Sequence, residues 1–255
     1  MNQEERRIKL IEDLLFEQNQ KVNIPKDKSS QELLLRGLMN IRMPRKFSEI
    51  FINTQNTYLQ ERLQEKGITD INCLNPIKDD LYLWRGDITT LKCDAIVNAA
   101  NSQMLGCFIP NHRCIDNAIH TYAGIELREE CFQMMKKLGR EAEVGEAFLT
   151  KAYNLPSRYV IHTVGPFVSS YLTEEDKKNL QKCYLSCLKL AEEHSLDSIA
   201  FCCISTGEFH FPNDAAGQIA VETVKQYKEK TQSKIKVIFN VFKELDYDIY
   251  KRLLS

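Results

Sequence analysis

Three side chains in one short segment offer the strongest metal chemistry in the chain: Cys107, His112 and Cys114, with four residues between the first pair and one between the second. Thiolate and imidazole together suit zinc, whereas magnesium and calcium take oxygen ligands. Three protein ligands leave a fourth position open, as in catalytic zinc sites. The spacing is unlike the paired C-x-x-C of zinc fingers, and no such pair occurs. On spacing alone, a free buried cysteine beside a surface histidine stays open as an alternative. Placement raises the metal reading, because Cys114 falls at the expected start of a helix. There the dipole and free N–H groups favour a thiolate.

Other candidates flank this cluster. Asp116 and His120 are spaced i, i+4 and share a helix face, beside an apolar stripe of Ile115, Ile119 and Ala123. Asp116 can equally be a first-turn cap, and His120 a packing residue. Asn98 and Asn101 are either turn residues or amide donors for sugar hydroxyls. A second loop, Ser205 to Pro212 (STGEFHFP), puts Ser205, Thr206, Gly207, Glu208 and Phe209 just before another helix. Small residues and free N–H groups at such a place can cradle phosphate. Phe209 and Phe211 can stack on a ribose or base, or simply pack, and His210 is read as incidental. Asp87, in WRGDIT (Trp84 to Thr89), can accept from an exocyclic amine or cap a turn.

These loops need a scaffold. Residues 1–75 read as a helical extension, with Ile8, Leu10, Ile11, Leu14 and Leu15 on one face. After a break at Pro25 and KDKSS, Ser30 is the expected cap of a second helix burying Leu33, Leu34, Leu35 and Leu38. A third helical pattern covers residues 48–66. Over residues 76–255, strand and helix signals alternate. Short apolar runs at 81–84, 95–98, 147–151, 159–163, 198–204 and 235–241 are expected strands covered on both faces. Helices are expected near 115–123, 126–138, 174–194, 213–230 and 245–254. The alternation predicts a three-layer α/β/α sandwich with a mixed central sheet. Ligands bind outside the carboxyl ends of strands in such sheets. If the strands before the two loops are parallel neighbours, both loops rim one crevice. Cys183, Cys187, Cys202 and Cys203 are expected in the core.

Lysine plus arginine number 34 and aspartate plus glutamate 35, so charge offers no reason to expect nucleic acid or an anionic membrane. No run of apolar residues approaches membrane-spanning length. The charged, amphipathic start lacks the features of a signal peptide, and nine cysteines do not outline a disulfide framework. Together these predict reduced thiols or metal ligands in a cytoplasmic protein.

Several segments resemble the macrodomain family. WRGDIT with DAIVNAAN (Asp94 to Asn101) looks like its opening, VGEAFLTKA (Val144 to Ala152) and YVIHTVGP (Tyr159 to Pro166) its middle, and ISTG (Ile204 to Gly207) its phosphate loop. The likeness spans residues 75 to 255. Where most hydrolytic macrodomains carry a run of glycines, this chain has GCFIPNHRCID (Gly106 to Asp116). That is similar to the zinc-dependent branch, which also has an N-terminal helical extension. The resemblance implies a protein-ADP-ribose hydrolase linked in microbes to a sirtuin and a lipoylated carrier protein. It carries zinc ligands onto Cys107, His112 and Cys114, adenine recognition onto Asp87 and Ile88, and distal-ribose contact onto Asn101. Diphosphate and ribose contacts fall on Cys114, Ile115, Asp116 and Ser205 through Phe209, with catalysis expected of Asn101, Asp116 and the metal ligands. A non-catalytic ADP-ribose reader with structural zinc and an O-acetyl-ADP-ribose deacetylase remain alternatives.

Overall fold

The chain opens with three helices, α1 (Gln3–Glu17), α2 (Lys28–Ile41) and α3 (Glu49–Lys66). The computed structural model describes every residue from Met1 to Ser255. α1 starts in a capping box, in which the Asn2 side chain accepts from the Glu5 amide and the Glu5 carboxylate from the Asn2 amide. This satisfies N–H groups that the first turn cannot reach. Leu10, Ile11, Leu14 and Leu15 are buried as expected, with Ile8 half-buried at the edge.

α2 departs from expectation at its start. Asp27, not Ser30, is the N-cap, and its carboxylate accepts from the Ser30 amide. Leu35 and Leu38 are buried, Leu34 is marginal and Leu33 faces solvent. Three consecutive leucines sweep too far around a helix to share one face. The apolar faces of α1, α2 and α3 close a small cluster of their own, joined by Ile125 from the rest of the chain.

A short parallel ladder pairs β1 (Thr69–Asp70) with β3 (Leu91–Lys92). Ile71, just after β1, packs with the larger core. That core is built on β2 (Leu81–Arg85), β4 (Ala95–Ala100), β5 (Ala147–Lys151), β6 (Tyr159–Val164), β7 (Ser198–Phe201) and β8 (Lys236–Val241). The order across the sheet is β2-β8-β7-β4-β6-β5. The first five in that order are parallel, and β5 runs antiparallel to β6 at the edge, so the sheet is mixed. β7 ends at Phe201, short of the expected Ile204, because residues 202–204 leave the sheet to begin the next loop.

α6 (Glu174–Glu193), α7 (Asn213–Thr231) and α8 (Glu244–Leu254) pack side by side. α4 (Ile115–Ala123) and α5 (Ile125–Leu138) pack together, against β4 and β5, and α4 receives α2 of the extension. The sheet is the middle of three layers. Cover on both faces explains why every residue of β7 and nearly all of β4, β6 and β8 are buried. Cys183, Cys187 and Cys202 lie in this core, as expected, and Cys203 is half-buried at its rim. No helix is long and apolar enough to cross a membrane.

β4 and β7 are parallel neighbours. The loops that follow them therefore emerge side by side, at the one edge of the sheet where all five parallel strands end.

Candidate active site

After β4 the chain turns at Asn101, whose side-chain oxygen accepts from the Gln103 amide. It then passes Gly106 at φ +80° and reaches Cys107. Glycine is required at 106 on two counts. The backbone is left-handed, and a Cβ would lie 2.7 Å from the His120 ring. A further turn, closed by the His112 amide on the Ile109 carbonyl at 3.2 Å, brings His112 back over Cys107. Cys114 is the N-cap of α4, and its sulfur accepts from the Asn117 amide at 3.4 Å.

The donor atoms of Cys107, His112 and Cys114 all lie within 4.8 Å of one another, and all three residues are half-buried. Cys107 Sγ and His112 Nδ1 are 3.6 Å apart. A tetrahedral zinc with ordinary Zn–S and Zn–N bonds sets such a pair about 3.6 Å apart. The residues present thus fit the ion in chemistry and in spacing. One expectation is opposed: burial, with the Cys107 and Asp116 charges adding to it, pushes the Cys114 thiol up to about 12, against the pull of the Asn117 amide. The helix start alone does not make a thiolate here.

Asp116 lies directly behind. It is not the cap of α4 but is turned inward, 5% exposed. Its Oδ1 accepts from Asn98 Nδ2 at 2.8 Å, and its Oδ2 takes a longer contact from Asn101 Nδ2 at 3.5 Å. Burial raises its carboxyl to about 6, although the Asn98 bond and the nearby Arg128 charge oppose this. Asn101 also donates to the Gly106 carbonyl. Asn98, read as a possible sugar contact, is fully buried and serves Asp116 instead. His120 is buried with both ring nitrogens unbonded, its Nε2 3.6 Å from Asp116 Oδ1. Burial first, then the Arg128 and His162 charges, hold it well below the usual imidazole range.

His120, Cys131 and His162 also gather in the interior. Asn98 Nδ2 faces His162 Nδ1 at 3.1 Å, so that nitrogen accepts and Nε2 carries the hydrogen, donated to Thr150 Oγ1 at 2.9 Å. His162 is thus a hydrogen-bonded core residue, whereas His120 beside it leaves both ring nitrogens unpartnered.

The loop after β7 faces α4 across the crevice. Ser205 is left-handed at φ +65°, and its buried Oγ has no protein partner. Thr206 is tied to Cys203 O through both its amide and its hydroxyl. The amides of Gly207, Glu208 and Phe209 donate to no protein group, nor do those of Ile115 and Asp116 in the first turn of α4. One set of free N–H groups thus lies at a helix N-terminus and a second in the facing loop, and such groups can hold an anion. Glu208 approaches His112 Nε2 at 3.6 Å. Phe209 stands edge-on to the exposed Phe167, with ring centres 5.8 Å apart, whereas Phe211 is core. His210 is exposed.

At the far end, beyond β2, Asp87 caps a short 3₁₀ turn, Ile88–Thr90, through its Oδ1. Its Oδ2 pairs with Lys66 of α3 at 2.8 Å. Burial would raise this carboxyl, but Lys66 and Thr89 outweigh it and hold it below the usual range. Ile88 is buried, 2% exposed. Phe242 follows β8 between the ends of β2 and β7 and is 77% exposed.

The structure therefore brings Asn101, Cys107, His112, Cys114, Ile115 and Asp116 to one wall of the crevice. Residues 205–209 form the facing wall, and Asp87 and Ile88 stand apart at the β2 end. A family model described as the Macro domain matches residues 97–220. A protein-ADP-ribose hydrolase of Treponema medium is 52% identical, with 100% of both chains covered. The chain belongs to the macrodomain family. A protein-ADP-ribose hydrolase of Staphylococcus aureus is 48% identical to this macrodomain over 96% of this chain and 94% of its own. Among solved structures, a Trypanosoma brucei macrodomain in complex with ADP-ribose superposes with a TM-score of 0.67, at 30% identity, covering 86% of this chain and 95% of its own.

Proposed function

We propose that this macrodomain is a protein-ADP-ribose hydrolase that removes ADP-ribose from mono-ADP-ribosylated proteins with the help of zinc. The observation that carries the reading is one juxtaposition. The Cys107–His112–Cys114 cluster lies beside Asn101 and Asp116, across from the free amides of residues 207–209. In this reading residues 1–75 are the helical extension and 76–255 the macrodomain, working in the cytoplasm.

The free amides of Gly207, Glu208, Phe209, Ile115 and Asp116 bind the diphosphate, with Ser205 Oγ beneath them. Asp87, the Ile88 backbone and Phe242 lie at the adenine end, where Asp87 must exchange or share its Lys66 partner with the base. The distal ribose then falls at Asn101. Asn101 offers its amide to a ribose hydroxyl, and Asp116, oriented by Asn98, presents its Oδ2 towards the reacting carbon. Negative charge there favours an oxocarbenium-like state. Cys107 Sγ, His112 Nδ1 and Cys114 Sγ would hold the zinc, which supplies Lewis acidity at the same point.

The test is turnover of a mono-ADP-ribosylated protein followed by mass, comparing the native chain with Cys107→Ala. Free ADP-ribose from the native chain alone supports the reading. Binding heat without product marks a reader, and acetate release from O-acetyl-ADP-ribose without glycosidic cleavage marks a deacetylase. The finer substrate we propose is a lipoylated carrier protein modified by a sirtuin, and the same assay on that substrate checks it.

A further inference from the structure

Helix α2 of the extension reaches the metal-ligand loop directly. Arg36 donates from Nη2 to the His112 carbonyl at 2.9 Å, and from Nη2 and Nε to Asn117 Oδ1 at 2.7 and 3.2 Å. Asn117 is fully buried. With its oxygen held by Arg36, its Nδ2 donates to the carbonyls of Ile109 at 3.0 Å and Cys107 at 3.4 Å. One guanidinium and one amide thus grip the backbone at two of the three ligand residues, and the Asn117 N–H bonds the sulfur of the third. Asn40, one turn further along α2, accepts from the Asn111 amide at 3.0 Å. Gly37, between them, faces the same loop, and a Cβ there would make ordinary contact with Asn111 and Pro110.

We propose that Arg36 is a positioning residue for the zinc site, acting through Asn117, and that the extension is thereby part of that site. This rests on the reading of Cys107, His112 and Cys114 as zinc ligands. Groups that orient metal ligands shift metal affinity 10- to 100-fold on average when removed. The rigid guanidinium bonds Asn117 Oδ1 from both Nη2 and Nε while Nη2 also bonds His112 O, a three-bond grip that a lysine ammonium does not reproduce.

The test uses four full-length proteins loaded with zinc: native, Arg36→Gln, Arg36→Lys and Asp27→Ala. Asp27→Ala removes the N-cap at the far end of α2 and controls for loss of helix stability. Zinc retention is read by competition with a coloured chelator, ADP-ribose affinity by calorimetry, and loop order by hydrogen exchange at the Asn111 and His112 amides. Arg36→Gln is expected to hold zinc at least tenfold more weakly, with Arg36→Lys between it and native. ADP-ribose affinity should stay near native and both amides should exchange faster. Native-like zinc retention in Arg36→Gln and Arg36→Lys overturns the proposal, and so does equal loss in Asp27→Ala. If Arg36→Gln does not fold, Arg36→Lys decides. A native chain that binds no zinc sinks the reading of the ligands. The exchange data then decide the brace alone: faster exchange at both amides in the variant upholds it, and unchanged exchange overturns it.

Discussion

Two loops face each other across the crevice and are built on opposite plans. The ligand loop, from Asn101 to Cys114, is held by side chains from elsewhere: Arg36, Asn40, Asn117 and Arg128, which donates to the Leu105 carbonyl at 2.6 Å. The loop from Ser205 to Phe211 is held by backbone bonds, Phe211 N on Ser205 O and His210 N on Gly207 O within it and Val168 N on Phe209 O from outside. The first spends side-chain contacts to fix where three donor atoms point. The second leaves amides unpaired and open. A metal site needs fixed distances, whereas a diphosphate needs donors that are still free, and each loop has the build its ligand requires.

The contrast can be broken or sharpened by measurement. Cys107→Ala or His112→Ala should lower turnover by about a thousandfold, since Lewis acidity contributes several kcal/mol, with unchanged circular dichroism. Full turnover in a zinc-free variant would remove the reason for a fixed loop. Gly106→Ala should cost about 3 kcal/mol, from left-handed strain plus the clash with His120, and lower the Tm by roughly 10 °C.

Acid should act beneath the ligand loop. Burial holds His162 down at about 3, below its ordinary 6.5, so the unfolded chain binds a proton there that the folded one refuses. Its contribution is complete above pH 6.5 and is lost as pH falls from 6.5 towards 3, at up to about 1.4 kcal/mol per pH unit. The Tm of His162→Gln should therefore fall less steeply over that range than the native Tm. Gly207→Ala should do least. Its Cβ would meet nothing within 4 Å, and its φ is not left-handed, so stability should change by about 0.5 kcal/mol or less. A Tm loss matching that of Gly106→Ala would show that the open loop is braced after all.

Much of the scaffold was legible because apolar periodicity is a local signal. The strand at residues 147–151 and the helix at 115–123 stand where the pattern put them. Parallel pairing of the strands before the two loops entered the sequence reading only as a condition, and the structure meets it. What was not legible depends on distance or on rival residues of one type. Asp27, Ser29 and Ser30 are all good caps within four positions, and composition cannot rank them. Nothing in the neighbourhood of Arg36 announces that it meets Asn117, 81 residues on. The helix start favours a Cys114 thiolate, and burial, which a sequence does not display, opposes it.

Arg128 has a consequence for assembly. Its guanidinium donates to the carbonyls of Met39, Asn40 and Arg42, which close the end of α2 and have no helical partner of their own. A positive charge at that end also matches the helix dipole. The donor lies 86 to 89 residues later in the chain. During synthesis, then, α2 emerges long before the residue that finishes it. Until α5 is in place those carbonyls can bond only water, so the end of α2 is completed by a contact of long sequence separation.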